Sequence, residues 1–417
     1  MNKMLHILIV ISFLITIGKQ RLVKIISDSE IILTIKGNNS QPILNDKTIS
    51  LSDEKTKKNN YTFNETPSEI FVNGNRINKI DYYVYNLTLD ENIITIKFNK
   101  TLKNCNVMFA GLSNIIKIYF KKFYFSGTHI IGMFYNCTNL ISIDLSNFSI
   151  GSASSIDYMF YNCNNLISLD LSSLNTSSVT SMFNLFNACN KLISLNLRNF
   201  DTSSVTNMEY MFSSCSKLTS IDLSNFNTSK AKTMSYMFNR CYSLISLDLS
   251  NFDTSSVTQM IYMFRYCRIL TSLDLSNFDT RNVKTMIQMF ANNRNLITLN
   301  LSNFDTSSVT SMTSMFENCT NLISLNLSNI NTSSVKRMDS MFRNCINLIS
   351  LDLRNFDTSS VINMSYILNG TNTNLVYCIN NNASSKLVSE LNNYNLSNNC
   401  SDICFSNYKK ILFDIKK

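Results

Sequence analysis

Along most of this chain the apolar residues recur at fixed steps. The segment MFENCTNLISLNLSNINTSSVKRM, Met315 to Met338, is one instance, and the slot of its first methionine returns at Met133, Met159, Leu185, Met211, Met237, Met263, Met289, Met315 and Met341, each 26 residues after the last. Nine copies without slippage predict a solenoid. Within one unit, Leu325 and Leu327 alternate with Ser324, Asn326 and Ser328, which predicts a short strand whose polar side faces outward. Ile330 closes a turn, and Asn331-Thr-Ser-Ser predicts a polar turn leading to a helix cap. Met338, Met341, Phe342 and Cys345 then stand at i, i+3, i+4 and i+7, the spacing of one face of a short helix. The expected rung is strand, turn, short helix and return. Parallel strands stacked about 4.8 Å apart would give nine copies a sheet roughly 40 Å long. Because no rung buries its apolar face alone, the Leu, Phe, Met and Cys slots become columns of one shared core.

The ends depart from this period. MFAGLSNIIKIYF at Met108 is a divergent first copy, and Ile367 holds a tenth slot that has lost the Phe and the Cys. Both mark transitions to caps. Residues 21–104 carry short alternating segments, EIILTIKG, SEIFVNG and ENIITIKF, which predict a β-rich module or cap. The solenoid is expected over 105–375, and a C-terminal cap and tail over 376–417, with a capping helix at ASSKLVSEL. Residues 1–20, MNKMLHILIVISFLITIGKQ, have the outline of a secretory signal peptide, with Lys3 ahead of an apolar run from Leu5 to Ile17. An uncleaved anchor is the alternative, but that run is shorter than the roughly 20 apolar residues a span requires. No second such stretch follows, so the expected product is secreted or on the cell surface, with no transmembrane helix after the signal is removed. Export would make Asn60, Asn64, Asn86, Asn136, Asn318, Asn369 and Asn395 glycosylation acceptors.

The pattern L-x-x-L-x-L followed by F-x-x-C-x-x-L resembles a leucine-rich repeat, and its M-F-x-x-C variant at 26 residues resembles the BspA-type surface proteins over Met108 to about Leu375. The resemblance implies an α/β solenoid, a ribbon or horseshoe with a parallel sheet on one face and short helices on the other. It also implies adhesion to host or matrix proteins and no catalytic residues. Asn293 in a Cys slot, Leu185 in a Met slot, and Leu174 and Ile330 in Phe slots are departures that a core column tolerates.

The cysteines form a column: Cys137, Cys163, Cys189, Cys215, Cys241, Cys267, Cys319 and Cys345. Rung spacing alone would permit disulfides between neighbours, yet all eight point the same way into a slot that calls for a small apolar residue. Buried free thiols are expected. Asn293 is expected to hydrogen-bond to the neighbouring backbone. A line of thiols lacks the convergence of a zinc site, so no metal is expected. Cys378, Cys400 and Cys404 lie beyond the repeats, and one disulfide among them would staple the C-terminal cap.

Charge adds two candidate faces. The net charge is +9, with Lys and Arg scattered rather than gathered in an arm, which gives nucleic-acid binding little support. On the strands, Asp170, Asp222, Asp248 and Asp274 belong to a column of stacked carboxylates that would repel unless a cation or a partner neutralises them. Arg198 and Arg354 interrupt the column beside it. On the expected helix side, Tyr262, Arg265, Tyr266 and Arg268 vary from the consensus and form a basic, aromatic patch of the kind that anchors protein contacts, with Arg281, Lys284 and Arg294 nearby. More often such sets are only a solvated face.

Enzyme chemistry is nearly excluded by inventory. The chain holds two histidines, His6 and His129, and eight glycines, so neither a His-based triad nor a phosphate-cradling loop can be assembled, and no cofactor is expected. The expected function is binding of an extracellular or surface protein, or a glycan, by a monomer. The alternative is a structural coat that self-assembles through its repeats.

Overall fold

A computed structural model describes residues 28–52, 58–301, 303–325, 327, 329–379, 385–392 and 395–396. The expected signal peptide, Cys400 and Cys404 lie outside these residues.

Eight strands precede the repeats: β1 (Ser29–Lys36), β2 (Asn39–Pro42), β3 (Ile49–Ser52), β4 (Lys58–Tyr61), β5 (Glu69–Val72), β6 (Asn75–Arg76), β7 (Tyr83–Leu87) and β8 (Glu91–Phe98). The rungs contribute β9 (Ile115–Lys122), β10 (Ser142–Asp144), β11 (Ser168–Asp170), β12 (Ser194–Asn196), β13 (Ser272–Asp274), β14 (Thr298–Asn300), β15 (Ser324–Leu325), β16 (Ser350–Asp352) and β17 (Val376–Cys378). Helix α1 (Ser385–Leu391) and β18 (Asn395–Leu396) follow. β1 buries Ile31, Leu33 and Ile35 on one side and pairs antiparallel with both β8 and β9, while β9 pairs in parallel with β10. The N-terminal sheet therefore runs into the solenoid without a break and covers its open edge.

The body is a β-solenoid of about ten turns. Equivalent residues 26 apart face each other in parallel register, as Leu169 with Leu195 and Leu273 with Leu299. One apolar core runs from the N-terminal module to α1, where Leu387 and Leu391 close it. Its spine is a file of stacked rings from Phe109 to Phe342; the steps Phe238–Phe264 and Phe264–Phe290 measure 5.8 and 5.7 Å between centroids. Offset stacks of this kind contribute about 0.5–1.5 kcal/mol each beyond their burial.

The expected short helices are absent: among the described residues α1 is the single α-helix. The segment Ile156–Leu166 shows why the spacing misled. Met159, Tyr161, Cys163 and Leu166 donate their amides three residues back, to Ile156, Tyr158, Phe160 and Cys163, closing successive β-turns. The intervening amides of Tyr158, Phe160 and Asn162 donate sideways to Phe183, Leu185 and Asn187 of the next rung, at 2.9, 3.0 and 2.8 Å. An α-helix would keep these bonds inside the segment, at i−4. Turns that close every three residues turn positions i, i+3, i+4 and i+7 inward as a helix does, so apolar spacing alone cannot separate the two. The leucine-rich-repeat description with helices on one face is thus replaced by an all-β rung. The price is two left-handed residues per rung, here Tyr158 (φ 57°) and Asn162 (φ 58°), a conformation that Asn tolerates far better than Tyr.

The opposite corner explains the polar repeat. Asp248 and Asp253 accept the amides of Ser250 and Ser255, both at 2.9 Å, so each carboxylate closes a turn two residues long. The fully buried Thr254 hydroxyl donates to the Asp279 carbonyl at 2.8 Å and accepts the Asp279 amide at 2.9 Å in the next rung. Asn251 donates to the carbonyls of Leu223 and Phe226 in the previous one. The Ser, Asn, Asp, Thr and first of the two closing Ser positions of S-N-F-D-T-S-S each have a partner in this corner.

In the thiol column each Sγ–H donates to a Phe carbonyl of the preceding rung, as Cys163 to Phe134 at 3.2 Å and Cys319 to Phe290 at 3.1 Å. The nine cysteines from Cys105 to Cys345 are free and buried. Cys378 is disulfide-bonded. Asn293 does not do what its slot suggested: it is 1% exposed, and neither its Oδ1 nor its Nδ2 has a hydrogen-bond partner. The slot is shaped for one thiol donor aimed at one carbonyl, and a planar amide fails to reach it.

Candidate functional site

The strand-face residues do not converge. Asp170, Asp222, Asp248 and Asp274 each accept the amide two residues on, from Ser172, Ser224, Ser250 and Ser276. The serine hydrogen bonds hold the Asp170, Asp222 and Asp248 carboxyls below the usual carboxylate range. Turn chemistry therefore accounts for the column, and Asn196 serves it as well by accepting from Arg198 at 3.2 Å. Arg354 is engaged locally, with Asp352 at 2.6 Å, and it stands six rungs from Arg198. The outward serines are exposed at Ser168 and Ser272 but buried at Ser324 and Ser350. Asn326 and Ser328 lie outside the described residues.

The second set does converge, on the corner of successive turns rather than on a helix. The guanidinium of Arg265 lies over the rings of Tyr262 and Tyr266 at 4.9 and 4.6 Å. That of Arg268 lies over Tyr242 and Tyr266 at 4.5 and 5.3 Å. Tyr262 continues into Tyr236 and Tyr210, with centroids 4.6 and 4.1 Å apart. The outcome is a rack of alternating rings and cations across three rungs. Tyr242, Tyr236 and Tyr210 were not singled out from the sequence, although the signal was there: Tyr236 and Tyr242 sit 26 residues before Tyr262 and Arg268, and Tyr210 sits 26 before Tyr236. Arg281 lies on another corner, where it pairs with Asp279 at 2.9 Å.

Three features separate this rack from an ordinary solvated face. First, its backbone is strained for its residues. The left-handed slot before each Cys position holds Asn136, Asn162, Asn292, Asn318 and Asn344, but in four middle rungs it holds Ala188 (φ 64°), Ser214 (φ 60°), Arg240 (φ 60°) and Tyr266 (φ 65°), of which the last two belong to the rack. Where Asn persists, its amides form a ladder, Asn318 donating to Asn292 at 3.0 Å and Asn344 to Asn318 at 2.8 Å. The same ladder occupies the Nδ2 of Asn318, one of the expected glycosylation acceptors. Second, neither Arg265 nor Arg268 has a carboxylate within ion-pairing distance among the described residues, whereas Arg281, Arg337, Arg343 and Arg354 each have one. Third, most of the buried side-chain atoms lacking a hydrogen-bond partner among the described residues sit beside it: Ser235 Oγ, Asn239 Oδ1, Arg265 Nε, Thr285 Oγ1, Gln288 Oε1 and the Asn293 amide. Unpaired polar groups are rare in native structures and mark places where something else is required.

The aromatic face continues toward the N-terminus through Phe183, Tyr158 and Tyr135. There it is covered, since Leu51 of β3, with Ile49 and Tyr61, packs against Val107, Ile131, Tyr158 and Phe183 in a second apolar cluster. Among the described residues, no group of His, Cys, Asp and Glu is placed to hold a metal, and no helix is long and apolar enough to cross a membrane.

No curated protein and no solved structure matches the chain. The profile of a family described as "Mycoplasma protein of unknown function, DUF285" matches five overlapping stretches, residues 88–194, 128–244, 165–270, 218–321 and 293–399. These stretches together span 88–399, three quarters of the chain, and a β-solenoid of the DUF285 repeat family is what this protein is.

Proposed function

We propose that this is an exported repeat protein that binds another macromolecule, a protein, through the turn corner around Tyr262, Arg265, Tyr266 and Arg268. The observation that carries the reading is the Arg–Tyr rack itself, whose Arg265 and Arg268 have no carboxylate within ion-pairing distance among the described residues. Tyr and Arg are the residues that most often anchor protein interfaces. The resemblance to BspA-type surface proteins supports adhesion as the context and Met1 to Gln20 supports export. The test is capture of partners from matrix or cell-surface extracts by the immobilised full chain. An Arg265→Ala/Arg268→Ala variant should lose at least tenfold of the captured material, and Arg198→Ser/Arg354→Ser should lose none. The reading fails if the first variant captures as well as the parent.

A self-assembling coat is the second reading, favoured by one observation. Ile141, Ile167, Ile193, Ile245 and Ile349 form an outward column, 40%, 46%, 55%, 59% and 37% exposed. Light scattering distinguishes the two: a monomer across the concentration range for a binding module, growth with concentration for a coat.

A further inference from the structure

Resting on the reading above, we propose that the ligand of this corner is an extended acidic segment of a partner protein, whose Asp and Glu carboxylates are taken by Arg265 and Arg268. The turn segments of the three rungs that carry the arginines read SYMFNRCYS, IYMFRYCRI and IQMFANNRN over 235–243, 261–269 and 287–295, and the neighbouring rung of Tyr210 carries Glu209. The three segments hold Arg240, Arg265, Arg268 and Arg294 and no Asp or Glu. A cluster of four like charges with no carboxylate among its own residues attracts an anion.

The geometry narrows the class of anion. Stacking on Tyr262, Tyr266 and Tyr242 orients each guanidinium plane; the Nε of Arg265 is buried, so a carboxylate would be taken by its terminal NH2 groups, and planar N–H donors of this kind suit a carboxylate. Much of the side-chain entropy lost on binding is already lost in the free protein. Each ring has at least one face taken, because Tyr210, Tyr236 and Tyr262 lie against each other and Tyr266 and Tyr242 lie under Arg265 and Arg268. Recognition of single-stranded nucleic acid depends on open aromatic faces for base stacking, and a sugar ring would need the same face. Ring edges and N–H groups, by contrast, suit a peptide. The covered stretch under Leu51 blocks the surface on the N-terminal side of Phe183. From the rung of Tyr236 to that of Arg294 the open surface extends about 10 Å, enough for three or four residues in extended conformation.

The test uses the full chain and a fluorescein-labelled twelve-residue peptide of alternating Glu and Asp, followed by anisotropy, with the Gln/Asn peptide of equal length, heparin and single-stranded DNA as competing probes. The acidic peptide should bind at least tenfold tighter than its amide counterpart, and raising the salt from about 0.05 to 0.5 M should weaken it. Arg265→Gln/Arg268→Gln should remove at least tenfold of the affinity and Arg198→Gln/Arg354→Gln none. Arg265→Lys/Arg268→Lys should recover little, since an ammonium neither stacks nor forks. Equal binding of the two peptides overturns the proposal, as does tighter binding of heparin or DNA to the rack. If the Arg265→Ala/Arg268→Ala variant loses its captured partner but the acidic peptide fails to displace that partner from the parent chain, the acidic class is wrong and the binding corner stands.

Discussion

The two corners of each rung are built on different terms. At the Asp-Thr-Ser corner the same residues return rung after rung, and the Asp and Thr side chains answer backbone groups of their own turn or of the next rung. At the Met-Phe-x-x-Cys corner only the inward residues return; the outward ones change, and in the middle rungs the left-handed slot that every rung has receives Arg240 and Tyr266, residues that the fold does not ask for. Repetition therefore reports what holds the solenoid together, and departure from repetition reports what it can hold on to. The carboxylate column is the instructive case. As a surface it looked like a ligand site, but its regularity came from turn closure.

Thr254→Val should break the first corner most severely. It takes away the partners of the part-buried amide and carbonyl of Asp279, worth about 1–3 kcal/mol each when fully buried, so with partial hydration urea unfolding should show a loss of about 2–4 kcal/mol. A loss below about 1 kcal/mol would mean that the ladder is decorative. Asn293→Cys works in the opposite direction, replacing two unpaired amide atoms with a thiol aimed at a carbonyl, and a gain of about 2 kcal/mol is expected in the same measurement. At the second corner, Tyr266→Asn relieves left-handed strain worth about 1–2 kcal/mol and lets the amide ladder extend from Asn292. After the lost ring contacts a net gain of about 1 kcal/mol remains, together with a loss of binding to the acidic peptide. A variant that is both less stable and still bound would reverse the comparison.

The smallest effect is expected from Asp248→Asn, because an amide oxygen closes the same turn. Neutral-pH stability should not change, but acid sensitivity should. The folded carboxyl is held below its ordinary value by Ser250, so its contribution is complete above that value and is lost as the pH falls through the folded pKa. The parent should lose more stability than the variant as the pH drops below about 4. The thiols carry the opposite sign. Burial pushes Cys137, Cys189, Cys241 and Cys319 up to about 12, so the folded state keeps protons that the unfolded chain releases from pH 9. Stability should fall as the pH rises from 9 toward 12, and a thiol reagent should label these cysteines only after unfolding.

The solenoid, its 26-residue register and its core columns were legible because each rests on apolar spacing, and spacing survives translation into any rung geometry. The strands at EIILTIKG, SEIFVNG and ENIITIKF, and the helix near Ser385, were legible on the same ground. The helical side was not, since Met159, Phe160 and Cys163 turn inward on consecutive β-turns as they would on a helix, and only the direction of the Tyr158 and Phe160 amides tells them apart. Of the candidate site, the set Tyr262 to Arg268 could be picked out because it breaks the repeat. Its extension to Tyr242 and Tyr236 required knowing which slots stack. Asn293 misled because a polar residue in a core slot invites the assumption of a partner, and whether one is in reach is a matter of tenths of an ångström.

Each rung makes its sideways bonds only to the rung before and the rung after. A deletion or duplication of one whole 26-residue unit therefore leaves every other contact as it was, while any shift of a different length throws the columns out of step. Such a chain can be shortened or lengthened by recombination between its own near-identical copies. The distance between the N-terminal cap and the Arg–Tyr rack is thus a dimension that inheritance can adjust in whole steps of about 4.8 Å.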